Sequence, residues 1–359
     1  MARLMAGGLG LSFRQLLEAC KGSKFLDLEL RDGILGGFAL TPIGRMLRNN
    51  LKEEFRRGEP GMAVYEGSSG ISLEKNLRFV QDTFATDLPF GITVEELFED
   101  RTVSLYENYG FHLEGGSLLS CSYFVNPTMS MEFMYKAQRQ RKIWWMRFAC
   151  DPGRYFISDL RQDAESKVQS VAIKARFAGE EVALEQLELI PGSVMREEMG
   201  DFQVKIGKSS RKITPNVLRV RQCVELATLE VILDAFENSG TSSVRIHRKL
   251  APYKCGIICL SEADPSQLEE LRDLAKHLSN VLRKANITVL DCSSQNGSSE
   301  RSLNKQLRHL DSIAVPYSLL LQEQSLQNGL FQLRSRDTTI SETIHISDLP
   351  DYLLKIITS

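Results

Sequence analysis

The residues "HRKLAPYKCGIICL", numbers 247–260, set three basic side chains and a Leu-Ala-Pro step ahead of a short apolar run centred on Ile257 and Ile258. A run of that length, flanked by polar residues and β-branched at its centre, reads as a buried strand. Beyond it strands and helices alternate regularly. "PSQLEELRDLAKHLSNVLRKA" (265–285) is an amphipathic helix opening on Pro265, and "NITVLDC" (286–292) a strand. "ERSLNKQLRHLD" (300–311) is a helix, "YSLLLQ" (317–322) and "LFQLRSR" (330–336) are strands, and "ISDLPDYLLKIITS" (346–359) is a helix. Strand and helix alternating at this spacing predict a compact α/β domain with a mostly parallel or mixed sheet.

Before this segment the composition breaks at "ENSGTSSVR" (237–245), which places a domain boundary there and divides the chain into 1–240 and 241–359. The earlier part is less regular. "TPIGRMLRNNLKEEFRR" (41–57) is a helix with Thr41 as N-cap, Pro42 at its first position and an apolar stripe through Ile43, Met46, Leu47, Leu51 and Phe55. "EGSSG" (66–70) separates it from a second helix, "LEKNLRFVQDTFA". Residues 102–125 read as a hairpin turning at Gly115-Gly116, 129–149 as a long helix, 154–223 as short strands and 224–237 as an apolar helix.

The chain has 359 residues, 42% apolar and 25% charged, with a formal net charge of −2. Such a balance gives no global attraction to nucleic acid or anionic membrane, so any basic footprint must be local. No apolar run approaches the ~20 residues of a membrane span. The seven cysteines are scattered without a C-x-x-C pair and read as free thiols, and Cys255 and Cys259 lack the histidines a zinc site needs. The five histidines (112, 247, 277, 309, 345) lie on separate elements with no nucleophile signature beside them. No phosphate-binding or dinucleotide-binding glycine motif is present. Residues 1–24 hold Arg3, Arg14, Lys21 and Lys24 against Glu18 alone, the acid-poor character of a mitochondrial transit peptide, or equally of a basic helix in a folded domain.

With that order laid out, the C-terminal half resembles the anticodon-binding domain of class IIa aminoacyl-tRNA synthetases. The correspondences are Leu250-Ala251-Pro252-Tyr253-Lys254 before the first strand, Asp311 with Pro316 before the third, and Leu333-Arg334-Ser335-Arg336-Asp337 late in the sheet. A closer resemblance spans nearly the whole chain. "LPFG" (88–91), "RQRKIWWMRFACDP" (139–152), "LELIPGSV" (187–194), "HRKLAP" and "FQLRSRDTT" are similar to the family of accessory (beta) subunits of the mitochondrial DNA polymerase, polymerase gamma. The resemblance implies an α+β N-terminal domain, a degenerate class II synthetase-like antiparallel sheet with flanking helices. It also implies an α/β C-terminal anticodon-binding-like domain with a mixed sheet. The implied function is a processivity factor that holds the catalytic subunit on primer–template DNA in the mitochondrial matrix (nucleoid). No cofactor and no metal are expected.

The alternatives are a working glycyl-type synthetase and a free-standing RNA-binding module. Class II synthetases grip ATP with an Arg following "LPF" and a second Arg in a Gly-rich motif opening a late helix, a task suited to the guanidinium fork. Here the first place falls at Glu99 or its neighbour, and in the second motif Gln222 replaces the glycine and Leu226 the arginine. A carboxylate beside a triphosphate repels it, so the sequence predicts no enzyme. "MREE" (195–198) satisfies R-x-E only formally and reads as a solvated charge run.

Two surfaces stand out. On the 129–149 helix, Lys136, Arg139, Arg141, Lys142 and Arg147 are interleaved with Tyr135, Trp144 and Trp145, a set suited to a DNA backbone. The competing reading makes Met131, Tyr135, Ile143, Trp144 and Phe148 core and the charges a solvated face. In "GLFQLRSRDTT" (329–339), Leu330, Gln332, Arg334 and Arg336 fall on one side of a strand and Phe331, Leu333, Ser335 and Asp337 on the other. The resemblance makes Gly329, Leu330, Arg334, Arg336 and Asp337 a dock for the catalytic subunit, with Gly329 allowing close approach after the "QEQSLQN" loop. The competing reading pairs the arginines internally with Asp337 or Glu342. Some members of the family carry a long helical insertion that builds a homodimer. Only 30 residues (58–87) separate Arg57 from Leu88 here, too few for a helix pair at 1.5 Å per residue, so a monomer in a one-to-one complex is expected.

Overall fold

The computed structural model describes residues 13–31, 34–57, 62–84, 86–99, 101–106, 109–205, 212–238, 244–260, 265–294 and 300–358. The transit-peptide reading of residues 1–12 and the centre of the 237–245 break lie outside them. Residues Phe13–Lys21 form a helix that buries Phe13, Leu16, Leu17 and Cys20. The chain divides into two compact units, one built on Leu51–Val231 with Leu28–Phe38, the other on Ile232–Ser359 with Glu18–Asp27 and Ala39–Asn50.

In the first unit an eight-stranded sheet runs, edge to edge, Val64–Glu66, Phe90–Phe98, Gly116–Val125, Asn216–Cys223, Glu180–Ile190, Gln169–Phe177 and Tyr155–Ile157, with Arg161–Gln162 also paired to Gln169–Phe177. Every pairing is antiparallel except the first. The alternation of side chains decides what each face buries. Phe124 lies opposite both Phe90 and Val217, and Val217 opposite Ile190, so these four share a face. That face packs on Leu77 and Val80 of helix Leu73–Thr83 and on Met195 and Met199 of helix Gly192–Met199. Thr93, Cys121, Tyr123, Val220 and Glu185 project from the other face, by the same register.

The hairpin expected to turn at Gly115-Gly116 does not form. Gly116–Val125 pairs instead with Phe90–Phe98, from Phe98 opposite Gly116 to Phe90 opposite Phe124. Arg101–Tyr106 and Tyr109–Leu113 make a separate two-stranded ribbon. The glycine at 116 serves clearance rather than a tight turn. A Cβ there would stand 2.5 Å from Glu225 Oε2 and 2.6 Å from Phe98 Cζ.

The second unit carries a five-stranded mixed sheet in the order Val289–Asp291, Cys255–Cys259, Tyr317–Leu321, Leu330–Ser335, Ser341–His345. The first three strands are parallel and the last two antiparallel. One face buries Ile257, Leu319, Phe331, Leu333 and Ile344 against helices Pro265–Lys284 and Leu349–Thr358. On the other face Ile258 and Leu320 meet Leu310 of helix Glu300–Ser312, with Leu303, Leu307 and Ile43 packed around them. The expected mixed-sheet α/β domain is therefore present. The Leu-Ala-Pro step ahead of its first strand is fixed by polar contacts, the Asn50 amide donating to Leu250 O at 3.1 Å and Ala251 O at 3.0 Å. Cys255 and Cys259 are buried in the first of these cores, and burial pushes both thiols up to about 12. "QEQSLQN" is not a loop. Glu323–Asn328 is a short helix, and Gly329, at φ +67°, is its left-handed cap.

Thr41 caps helix Pro42–Arg56 as expected, accepting from Gly44 N at 3.2 Å while its hydroxyl donates to Lys24 O at 2.6 Å. The capped turn lies so close to the chain at Phe25 that a Cβ on Gly44 would stand 1.9 Å from Phe25 O. Replacing Gly44 with Ala forces backbone apart and is expected to cost about 3 kcal/mol. Gly22→Ala, whose Cβ would meet nothing closer than 4.0 Å, should leave stability within about 0.5 kcal/mol, both read by urea unfolding.

Candidate partner and nucleic-acid surfaces

Helix Ser130–Phe148 presents two chemistries on two sides. Met134, Ala137, Arg141, Trp145 and Phe148 are buried. Arg141, expected at a DNA backbone, is inside the unit: its Nε donates to Glu185 Oε2 at 2.8 Å and its Nη2 to Glu185 Oε1. Trp145 Nε1 donates to the same Oε1 at 2.8 Å, and the guanidinium lies 4.4 Å from the ring centres of both Phe55 and Trp144. A guanidinium with this many partners out of water cannot turn toward a phosphate. Arg147 is exposed but paired with Glu54 at 3.3 Å. Lys136 and Arg139 are exposed and Lys142 half-buried, and among the described residues none of the three forms an ion pair. Arg139 Nε caps the carbonyl of Tyr135 at 3.1 Å. The exposed side thus mixes these cations with Met129, Tyr135 and Ile143, so Tyr135 and Ile143 are not core.

The positions where a synthetase would grip nucleotide carry no cation. Glu99 is exposed just past strand Phe90–Phe98, while Gln222 and Leu226 are buried. The neighbouring Glu225 accepts the amide of Ser117 at 2.8 Å. Arginines do stand on this sheet, but carboxylates hold them. Arg219 donates to both oxygens of Glu198, at 2.8 and 2.7 Å, and Arg221 pairs with Glu188. Of "MREE", Glu198 therefore closes an ion pair, and Arg196 reaches Thr214 Oγ1 at 3.1 Å.

In the second unit Arg334 and Arg336 are internal clamps. Arg334 makes a fork-to-fork pair with Asp311, 3.1 Å on each arm. Arg336 is 4% exposed; its Nη1 donates to Ala314 O at 2.9 Å, its Nη2 to Ile246 O at 3.0 Å, and its Nε to Asp337 Oδ1 at 2.9 Å. One guanidinium thereby ties the strand end to the 313–316 turn and to the segment before Leu250-Ala251-Pro252. Of the two partners weighed in the sequence, Asp337 is used. Glu342 instead accepts the Tyr352 hydroxyl. The signal that could have found Asp311 was already in the sequence, because "LDSIAVP" places an acid before the third strand of the domain.

Gly329 is bound by its own conformation. A Cβ would meet His345 Nε2 at 3.0 Å, and its carbonyl accepts Ile346 N at 2.9 Å. Beside it Leu330 is 39% exposed, and Asp337 and Ile340 face water. Among the described residues, strand Ser341–His345 is the sheet's outer edge, hydrogen-bonded on one side only.

A mixed sheet of this order, led in by Leu-Ala-Pro and locked by the late Arg-x-Arg-Asp, defines an anticodon-binding domain, and residues 254–356 match the family model described as "Anticodon binding domain". The chain is 38% identical over 254 residues to "DNA polymerase subunit gamma-2, mitochondrial" of Drosophila melanogaster, covering 68% of this chain and 69% of that protein. It is 30% identical to the Mus musculus "DNA polymerase subunit gamma-2" over 67% of this chain, spanning 53% of that relative. A more distant similarity, 21% over 80% of the chain, is to a glycine–tRNA ligase of Chlorobaculum tepidum. The chain belongs to the DNA polymerase subunit gamma-2 family.

Because Arg141 and Glu185 are enclosed together, removing either leaves a buried charge alone. Arg141→Ala is expected to destabilise the fold by about 3–5 kcal/mol in chemical unfolding, and Arg336→Ala by a similar amount. Lys136→Ala and Arg139→Ala should shift stability by less than about 0.5 kcal/mol.

Proposed function

We propose that this protein is the non-catalytic accessory subunit of the mitochondrial replicative DNA polymerase, raising processivity by holding the catalytic subunit on primer–template. Its similarity to the fly DNA polymerase subunit gamma-2, across two thirds of both chains, is the observation that carries this reading. The lack of a cation at Glu99 and Leu226 supports a non-catalytic role, since acyl-adenylate formation needs that charge stabilisation. Holding a partner adds contact area and slows dissociation without entering the chemistry. The names of its relatives support a mitochondrial location, and the matrix nucleoid follows from the role. Among the described residues no helix is long and apolar enough to cross a membrane.

The docking surface for the catalytic subunit is the outer edge of the second unit's sheet. Leu330, Asp337 and the free edge of Ser341–His345 make the contact, Gly329 sets their approach, and Arg334 and Arg336 brace them from beneath. An edge strand offers unpaired backbone groups, and Leu330 an apolar anchor beside them. Primer–template is met more weakly by Lys136, Arg139 and Lys142. The subunit is a monomer, joined one-to-one to the catalytic chain.

Primer extension by the catalytic subunit should give longer products per binding event when this chain is added. Leu330→Asp should weaken co-purification with the catalytic subunit about tenfold or more while leaving the thermal midpoint unchanged. Unaltered affinity removes this edge from the interface. Light scattering on the isolated protein should return 40.5 kDa, and a dimer at micromolar concentration refutes the stoichiometry.

A further inference from the structure

Helix Glu300–Ser312 divides its surface sharply. Leu303, Leu307 and Leu310 lie on the side that packs toward the sheet. Arg301, Lys305 and Arg308 follow one another at i, i+4 and i+7, a single stripe on the opposite side, and all three are exposed. Among the described residues none of their side chains forms an ion pair or hydrogen bond. This distinguishes them from most arginines of the protein, which spend their donors internally. The helix's last acid is also occupied, since Asp311 is taken up by Arg334.

The positive surface extends beyond the helix within the same unit. Lys24 Nζ lies 3.2 Å from His309 Nδ1, at the flank of the stripe. The Lys24 carbonyl accepts the Thr41 hydroxyl at 2.6 Å, which anchors the backbone that carries this lysine. The His309 imidazole is held below its usual range first by burial and then by the Lys24 ammonium. At 1.5 Å per residue the three helical cations span about 10 Å. Like charges so arranged repel one another and destabilise an isolated helix unless an anion answers them.

We propose that this face, Arg301, Lys305 and Arg308 with Lys24 beside them, binds the phosphodiester backbone of nucleic acid. It is a second polyanion site, separate from the stripe on helix Ser130–Phe148, and does not depend on the docking of a catalytic subunit. A linear row of cations, two of them planar forks suited to bidentate phosphate contact, matches a repeating backbone anion. The row carries no aromatic residue on which a base could stack, so recognition is of charge and not of sequence.

The test is anisotropy titration of the full chain against labelled duplex DNA, duplex RNA and single-stranded DNA across a salt series. Replacing Arg301, Lys305 and Arg308 together by Gln should weaken binding to at least one of the three by about tenfold or more. The slope of log affinity against log salt should become shallower by up to ~2.7, three contacts at ~0.9 each. The thermal midpoint should not move, and the double variant Arg301→Lys, Arg308→Lys should keep most of the affinity. The polymer that loses affinity identifies the backbone bound. Unchanged affinity and slope for all three overturn the proposal. So does a triple variant that binds nucleic acid normally yet loses an acidic protein partner, because the face would then be a protein interface.

Discussion

A guanidinium can leave water only if its donors are answered, and that constraint governs both units of this protein. In the first, Arg141 is closed in by the Glu185 carboxylate and two aromatic rings. In the second, Arg336 meets two carbonyls and a carboxylate, and Arg334 a carboxylate fork. The carbonyls come from segments far apart in sequence, Ile246 and Ala314. A single planar group therefore fixes the approach of the chain into the sheet and the turn into its third strand. Lys could not replace it, because one ammonium cannot address acceptors in the divergent directions that the fork spans.

The same side chain is the tool with which a class II synthetase holds nucleotide, and here it has been turned to internal use. Glu188 and Glu198 neutralise Arg221 and Arg219 on the antiparallel sheet, so a triphosphate approaching that surface would first have to displace carboxylates. The buried Leu226 offers an incoming phosphate no side-chain donor at all. A frame whose arginines are committed to its own acids keeps its shape without a ligand. This is the property required of a subunit that acts by being a rigid support.

Much of the architecture was legible in the sequence because it is carried by period and punctuation. Pro265 opens its helix, Thr41 caps its own, and alternation in "LFQLRSR" separates Phe331 and Leu333 from Leu330 and Gln332 as the sheet does. What the pattern could not give was pairing across sequence distance. Gly115-Gly116 carries a hairpin signal, but its strand belongs to Phe90–Phe98, and Gly116 is there to clear Glu225, a residue of a much later helix. The surfaces suffered in the same way. Arg141 and Arg147 share a helix with Lys136 and look alike in sequence. Only Glu185 and Glu54, from other elements, show that two of the three are engaged.

Among the cations left over after these internal pairings, two sets stand in rows along a helix. Lys136, Arg139 and Lys142 in one unit, and Arg301, Lys305 and Arg308 in the other, form no ion pair among the described residues of a chain whose formal charge is −2. Acids are not scarce, and some are committed elsewhere, on Arg219, Arg221, Arg334 and Arg336. A merely solvated helix commonly answers its cations with acids one turn away, as Arg78 has Glu74 and Lys276 has Asp273. On these two stripes that answer is missing. Glu132 stands one turn before Lys136 without pairing to it, and Asp311, one turn beyond Arg308, is already held by Arg334. Net charge near zero thus coexists with two local cationic rows. It is the local rows, within about a Debye length of 8–10 Å, that an approaching polyanion would feel.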